Sequence, residues 1–186
     1  PGAGGAIAAE FVAKSPPDGY ILFVGSNTQL AANPGLFKTL SYDPVKDFAP
    51  VVRMTTQPSA FLVRPDFPAK NIAEFVAYAK KNPGKLNYGS AGNGSAGHLA
   101  FEYLKMVSDI NLLHIPFKGT GPMLTDLMSG RLQAASVGAP ALIQFIKAGK
   151  LRCIATGTTE RLPQLPDVPT VAEQGYQGFE MTQWYG

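Results

Sequence analysis

Glycine, serine and histidine crowd into one stretch, Tyr88-Gly-Ser-Ala-Gly-Asn-Gly-Ser-Ala-Gly-His98. Gly92, Gly94 and Gly97 satisfy a G-x-G-x-x-G spacing, and Asn93-Gly-Ser95-Ala-Gly97 is one residue away from G-x-S-x-G. Three chemistries compete for loop 89–97. A dinucleotide fingerprint needs an acidic residue about 20 positions further on to hold the ribose. The next strand-like run ends at Phe117-Lys118 instead; Lys118 suits a 2′-phosphate, so an NADP reading stays open. A nucleophile elbow would make Ser95 the nucleophile, with an acid and a histidine later in the chain. The two histidines are His98, three residues from Ser95, and His114, inside an apolar run, so neither is well placed as a base for a hydrolase. The third chemistry is an anion cradle. Ser95 is a good N-cap for a helix starting at Ala96. The first turn leaves backbone N–H groups without helical partners, and the helix dipole adds positive charge there. Such an end binds carboxylate or phosphate without a charged side chain.

The elements that position this loop alternate between strand-like and helix-like. Ile21–Val24, Val51-Val52 and Ala60–Val63 read as strands. Ile72 to Lys81 reads as a helix, with Ile72, Phe75, Val76 and Ala79 on one face, Asn71 as its cap and Asn82-Pro83-Gly84 as its stop. One unit then recurs three times. Leu86–Tyr88 leads to the Gly/Ser loop and a helix from Ala96 to Val107. Leu112–Phe117 leads to Lys118-Gly-Thr-Gly121 and a helix from Pro122 to Ser129. Leu132–Val137 leads to Gly138-Ala139 and a helix from Pro140 to Ala148. Leu151–Ala155 adds a strand, and proline-rich Arg161–Pro169 reads as an extended connector. Strand–helix alternation predicts an α/β fold with mostly parallel sheets flanked by helices. In such sheets the loops after the strands share one edge, where ligands bind. Gly25-Ser-Asn-Thr28, Lys118-Gly-Thr120 and Gly138-Ala139 then offer donors beside the Gly/Ser loop. A single such loop reads equally as a tight turn; several on one edge favour a binding site.

Composition narrows the classes further. A net charge of +3 without a Lys/Arg cluster argues against nucleic acid. No apolar run approaches the roughly 20 residues of a membrane span. Cys153 is the single cysteine, in an apolar run, so it reads as core and forms no internal disulfide. Two histidines and one cysteine share no metal-ligand spacing, and no cofactor is expected. The chain starts at Pro1 without Met and ends in Thr182-Gln-Trp-Tyr-Gly186; we expect a piece of a longer protein.

A set of motifs in fixed order carries a resemblance. These are Pro1-Gly-Ala-Gly-Gly5, Pro17-Asp-Gly-Tyr20, Tyr42-Asp-Pro-Val-Lys-Asp-Phe-Ala-Pro50, and Tyr88–Gly92 with Gly94-Ser95 and His98. Pro116-Phe-Lys-Gly119, Ile146–Lys150 and Leu165-Pro-Asp-Val-Pro-Thr-Val-Ala-Glu173 complete the set. Over essentially its whole length the chain resembles the Bug, or TctC-type, periplasmic solute-binding receptors of tripartite tricarboxylate transporters. The resemblance implies a two-lobed Venus-flytrap fold of the periplasmic-binding-protein kind, with a small carboxylate held between lobes. It also implies a secreted, monomeric, non-catalytic receptor that delivers its ligand to membrane transporter subunits. On that basis residues 1–54 represent part of the first lobe, 55–178 the second lobe and 179–186 a return strand. The implied ligand residues are Gly25, Ser26, Asn27 and Thr28; Ser90, Gly94, Ser95 and His98; Lys118, Gly119 and Thr120; and Val137 and Gly138. Many family members carry an Asp where this chain has Val137-Gly-Ala-Pro140. With Val137 and Pro140 making that side apolar, the expected ligand lacks an ammonium group. An enzyme, NADP-dependent or hydrolytic, is the alternative reading of loop 89–97.

Overall fold

A computed structural model describes residues 3–186, which form two compact units. Residues up to Thr56 with Gln183–Gly186 make the first; Gln57–Thr182 make the second. The first two residues of the Pro1–Gly5 motif lie outside the described residues.

In the first unit, Gly4 and Gly5 adopt positive φ (58° and 80°), and Gly5 stands at the N-cap of α1 (Ala6–Ala13). A π-helical turn, Thr28–Ala32, runs into α2 (Asn33–Leu36). Tyr42 ties this region together: its hydroxyl donates to the Gln29 carbonyl (2.7 Å) and accepts from Asn33 Nδ2 (3.1 Å). The strand expected at Ile21–Val24 does not form. Ile21, Leu22 and Val24 are exposed, and backbone pairing begins only at Gly25, which exchanges hydrogen bonds with Gly186. Apolar β-branched composition favours a strand, but a strand exists only against a neighbouring strand, and among the described residues none pairs with 21–24; Phe23 instead stacks on the Phe48 ring. Val51 and Val52 are likewise exposed and outside any strand.

The second unit is built on a sheet of order β3-β2-β4-β1-β5. Its strands are β1 (Thr55–Val63), β2 (Asn87–Ser90), β3 (Leu113–Pro116), β4 (Ala134–Gly138) and β5 (Arg152–Thr156). A sixth strand, β6 (Thr182–Tyr185), pairs with β1. β2 is parallel to β3 and β4, whereas β1 is antiparallel to β4 and β5. The sheet is therefore mixed rather than mostly parallel. The reason is that β1 opens the unit: it starts at the edge where the other four strands finish, so it must run against them. Those four end at Ser90, Pro116, Gly138 and Thr156, and their following loops share one edge.

Helices cover both faces, which explains the unbroken buried run Ser59–Val63 in β1. Phe61, Val63, Tyr88 and Ala134 pack with α3 (Ile72–Lys81) and α4 (Ala96–Ser108) through Phe75, Ala100, Phe101 and Leu104. Ala60, Leu62 and Ala135 pack on the other face with Met123, Leu127 and Leu142. These come from α5 (Thr120–Ser129) and the 3₁₀ turn Ala139–Leu142 that precedes α6 (Ile143–Lys147). The Asn71 side chain caps α3 by accepting from the Glu74 N–H at 2.8 Å. α5 starts two residues before the expected Pro122. Gly119 takes the N-cap at φ 109°, and Pro122 sits third in the helix. Its missing N–H is one of the four the first turn cannot use anyway.

One contact sets where α4 begins. A Cβ on Gly97 would fall far inside the van der Waals contact distance of the Ser136 carbonyl oxygen, on the backbone of β4. Glycine there allows the first turn of α4 to rest directly on the sheet. Gly97→Ala should therefore destabilise the fold by about 1–3 kcal/mol through overpacking, measured by denaturant unfolding. Wild-type stability in this variant would show that the helix seat has slack.

Candidate functional site

The first turn of α4 is prepared as a donor end. Ser95 adopts extended backbone (φ −64°, ψ 156°), and its hydroxyl accepts from the His98 N–H at 3.4 Å. The Leu99 N–H reaches the Ser95 carbonyl at 3.0 Å. The N–H groups of Ala96 and Gly97 donate to no described residue, although both residues are buried. Gly92 and Gly94 turn the loop into this cap with φ of 131° and 74°.

The loop is braced from behind by a column of rings. Phe101, Tyr88, His114 and His98 stack in sequence, with centroid spacings of 4.5, 4.9 and 4.1 Å. His98 Nδ1 accepts from the Gly94 N–H (3.1 Å), so the ring holds the loop from the helix's first turn. Ser90 Oγ lies 2.7 Å from His114 Nε2 and also bonds with the backbone of Gly92. Fully buried, Ser90 has its hydroxyl engaged inside the loop. The Tyr88 hydroxyl donates to Glu102 Oε1 (2.6 Å), which also takes Lys105 Nζ (2.7 Å).

Lys118 is exposed; Gly119 and Thr120 are half-buried at the start of α5. Val137 turns away from α4 and packs against the opposite core, so it does not form the apolar wall expected on this side. Strand alternation is the cause: Ser136 and Gly138 share the α4 face with their partners Phe61 and Ser59. Ser136 is buried, and its hydroxyl has no hydrogen-bond partner among the described residues. Gln57, in β1, lays its carboxamide over Gly138. Sequence reading missed both residues; the strand alternation through buried Ala134 and Ala135 was the available signal for Ser136.

In the first unit, Ser26 is buried and its hydroxyl donates to Gln29 Oε1 at 2.7 Å. The Thr28 N–H donates back to Ser26 Oγ (3.2 Å), while Gln29 Nε2 reaches the Gly4 carbonyl (2.8 Å). Gly25 is buried, and Asn27 is half-buried with an Oδ1 that meets no described partner. Gln29, absent from the sequence-level set, organises this loop. No group of three His, Cys, Asp or Glu side chains that could hold a metal occurs among the described residues.

Burial governs the titration of the ring column. It lowers His98, with Glu102 opposing, and it lowers His114 to about 4, helped by the adjoining His98. Burial also pushes Glu102 upward, but its bonds from Lys105 and Tyr88 outweigh this and hold it below the usual range. A histidine held neutral by the fold is protonated first in the unfolded chain, so acid favours unfolding. Stability should thus fall as pH drops from about 6.5, the unfolded value, towards the His114 value of about 4. Glu102, held below its ordinary value of 4.5, adds a loss only below about that pH. His114→Phe should flatten the melting-temperature slope in the upper window; an unchanged slope would exclude His114 as its source.

A family model described as "Tripartite tricarboxylate transporter family receptor" matches residues 1–186. A UPF0065 protein of Bordetella pertussis is 36% identical over 184 residues, covering 99% of this chain and 57% of that protein. The chain thus spans a little over half the length of the curated relatives it matches. Among solved structures, an R. palustris protein with adipate superposes with a TM-score of 0.92 at 37% identity, covering 97% of this chain and 60% of that one. MatC from Rhodopseudomonas palustris, with bound malate, gives 0.91 at 36%, covering 100% and 63%. Motifs, fold and relatives agree: the chain belongs to the tripartite tricarboxylate transporter receptor (TctC) family.

Proposed function

We propose that this chain is the ligand-holding part of a periplasmic receptor that binds a small organic carboxylate and delivers it to a membrane transporter, without catalysis. The observation that carries the reading is that the N–H groups of Ala96 and Gly97, both buried residues at a capped helix start, have no partner among the described residues. Buried donors are costly unless paired, and at a helix N-terminus the natural partner is an anion. Relatives of similar fold hold adipate and malate. Ser95 and Gly94 shape the donor end, Ser90 and His98 brace it, and Gly119 and Thr120 add the start of a second helix. Ser26, Asn27 and Thr28 of the first unit are proposed as ligand residues on the family resemblance alone.

Ser90 and His114 form a Ser–His pair, the one feature that favours hydrolysis. Its serine is fully buried, and the nearby acid, Glu102, is engaged by Tyr88 and Lys105. These features favour a bracing role for the pair.

Ser95→Ala tests the cradle. In the full-length receptor it should weaken adipate binding at least about fivefold, roughly 1 kcal/mol, in calorimetry. Loss of the cap should also lower stability by about 0.5–2 kcal/mol. A stability loss with unchanged affinity would make the loop purely structural.

Ligand charge gives a second test. An ammonium group buried without a carboxylate partner costs several kcal/mol. Val137 to Pro140 carry no acid, and Glu102 is already paired. Succinate should bind at least tenfold tighter than aspartate, and glutarate than glutamate, a margin of ~1.4 kcal/mol. Tighter binding of the amino acids would refute this charge argument.

A further inference from the structure

Gly138 has no backbone reason to be glycine. Its φ of −56° and ψ of 124° are open to any L-residue. A side chain here would meet Gln57: a Cβ on Gly138 would lie 2.5 Å from Gln57 Oε1 and 3.4 Å from Cδ, so the carboxamide would have to move aside. The position thus makes room for a carboxamide. That carboxamide is half-buried and bonds to no described residue.

Its location is specific. β1 and β4 pair Ser59 with Gly138 and Phe61 with Ser136, so Gln57, Ser136 and Gly138 all lie on the α4 face. Gln57 stands beyond the last β1–β4 pair, at the edge where the four co-directional strands end. Ser136 lies directly under Gly97 and carries a buried hydroxyl without a partner among the described residues. Gly138, where the carboxamide rests, is two strand positions further, about 6.6 Å along β4. The start of α4 and the Gln57 carboxamide thus lie over positions of β4 two residues apart, a spacing comparable with the length of a short diacid. A monocarboxylate of a few carbons engages only one of them.

We propose that Gln57 selects dicarboxylates, donating from its carboxamide to the far carboxylate of a ligand whose near carboxylate sits on the Ala96 and Gly97 amides. This rests on the receptor reading above. A carboxamide presents either NH₂ or C=O by turning over, so it recognises a second carboxylate without adding charge. Gly138 leaves the space the carboxamide occupies.

The test is calorimetry on the full-length receptor with glutarate, butyrate and glutamate. Gln57→Leu should reduce glutarate affinity at least tenfold while changing butyrate less than about twofold. Gly138→Ala, which must displace the carboxamide, should reproduce that pattern. Gln57→Glu keeps the shape but adds a charge; it should cost glutarate at least tenfold and shift preference towards glutamate. An unchanged glutarate-to-butyrate ratio in Gln57→Leu, or an equal loss of both acids, would overturn the proposal, as would a Gln57→Glu receptor that still prefers glutarate. Wild-type receptor that binds succinate, glutarate and adipate no better than it binds neutral amides would instead overturn the receptor reading itself.

Discussion

The seat of α4 on β4 is the constraint on which the rest of the site depends. Gly97 lets the helix backbone touch the Ser136 carbonyl, closer than any side chain would permit. That approach brings the helix start to the edge where β2, β3, β4 and β5 end. It also buries the first-turn amides, which raises both their cost when unpaired and their value to an anion. The third glycine of the G-x-G-x-x-G spacing thus serves helix–sheet packing, the role it has in nucleotide folds. The same glycine pattern arises without a nucleotide because the geometric demand is shared.

Around that seat, polar groups are sorted by whether the protein itself satisfies them. Ser90, His98, His114, Tyr88 and Glu102 are paired with one another or with the loop backbone. They hold shape. The amides of Ala96 and Gly97, the Ser136 hydroxyl and the Gln57 carboxamide have no described partners, and they cluster on one face at one edge. Buried polar groups are ordinarily satisfied, so the Ser136 hydroxyl and the amides of buried Ala96 and Gly97 together mark function more sharply than any one of them, with the half-buried Gln57 carboxamide beside them. The neutral rings matter as well: a protonated His98 would lose the lone pair that accepts from Gly94, and with it the loop's brace.

Much of this was legible in the sequence. The α3 helix could be read with its cap because apolar spacing and Asn71 report the same local physics. Ser95 as the α4 cap was legible for the same reason. Ile21–Val24 misled because composition states a preference for strand but not whether a neighbour exists. The direction of β1 was hidden because strand–helix alternation does not distinguish the strand that opens a unit. Pro122 sits third rather than first in α5, since the first turn accepts proline at several sites. Val137 stands in the expected Asp loop, yet alternation turns it to the opposite core and leaves Ser136 and Gly138 on the α4 face. Gln57 was invisible because its role comes from pairing with a strand some eighty residues away. The ring column was equally hidden, since β2–β3 pairing sets Tyr88 beside His114.

The most direct test of the account is whether the Ala96 and Gly97 amides receive the ligand. Isotope-labelled full-length receptor titrated with adipate should show the backbone amide resonances of Ala96 and Gly97 shifting downfield. Their saturation should follow the same affinity that calorimetry reports. Adipate binding that leaves both resonances unmoved would place the ligand elsewhere and contradict the account.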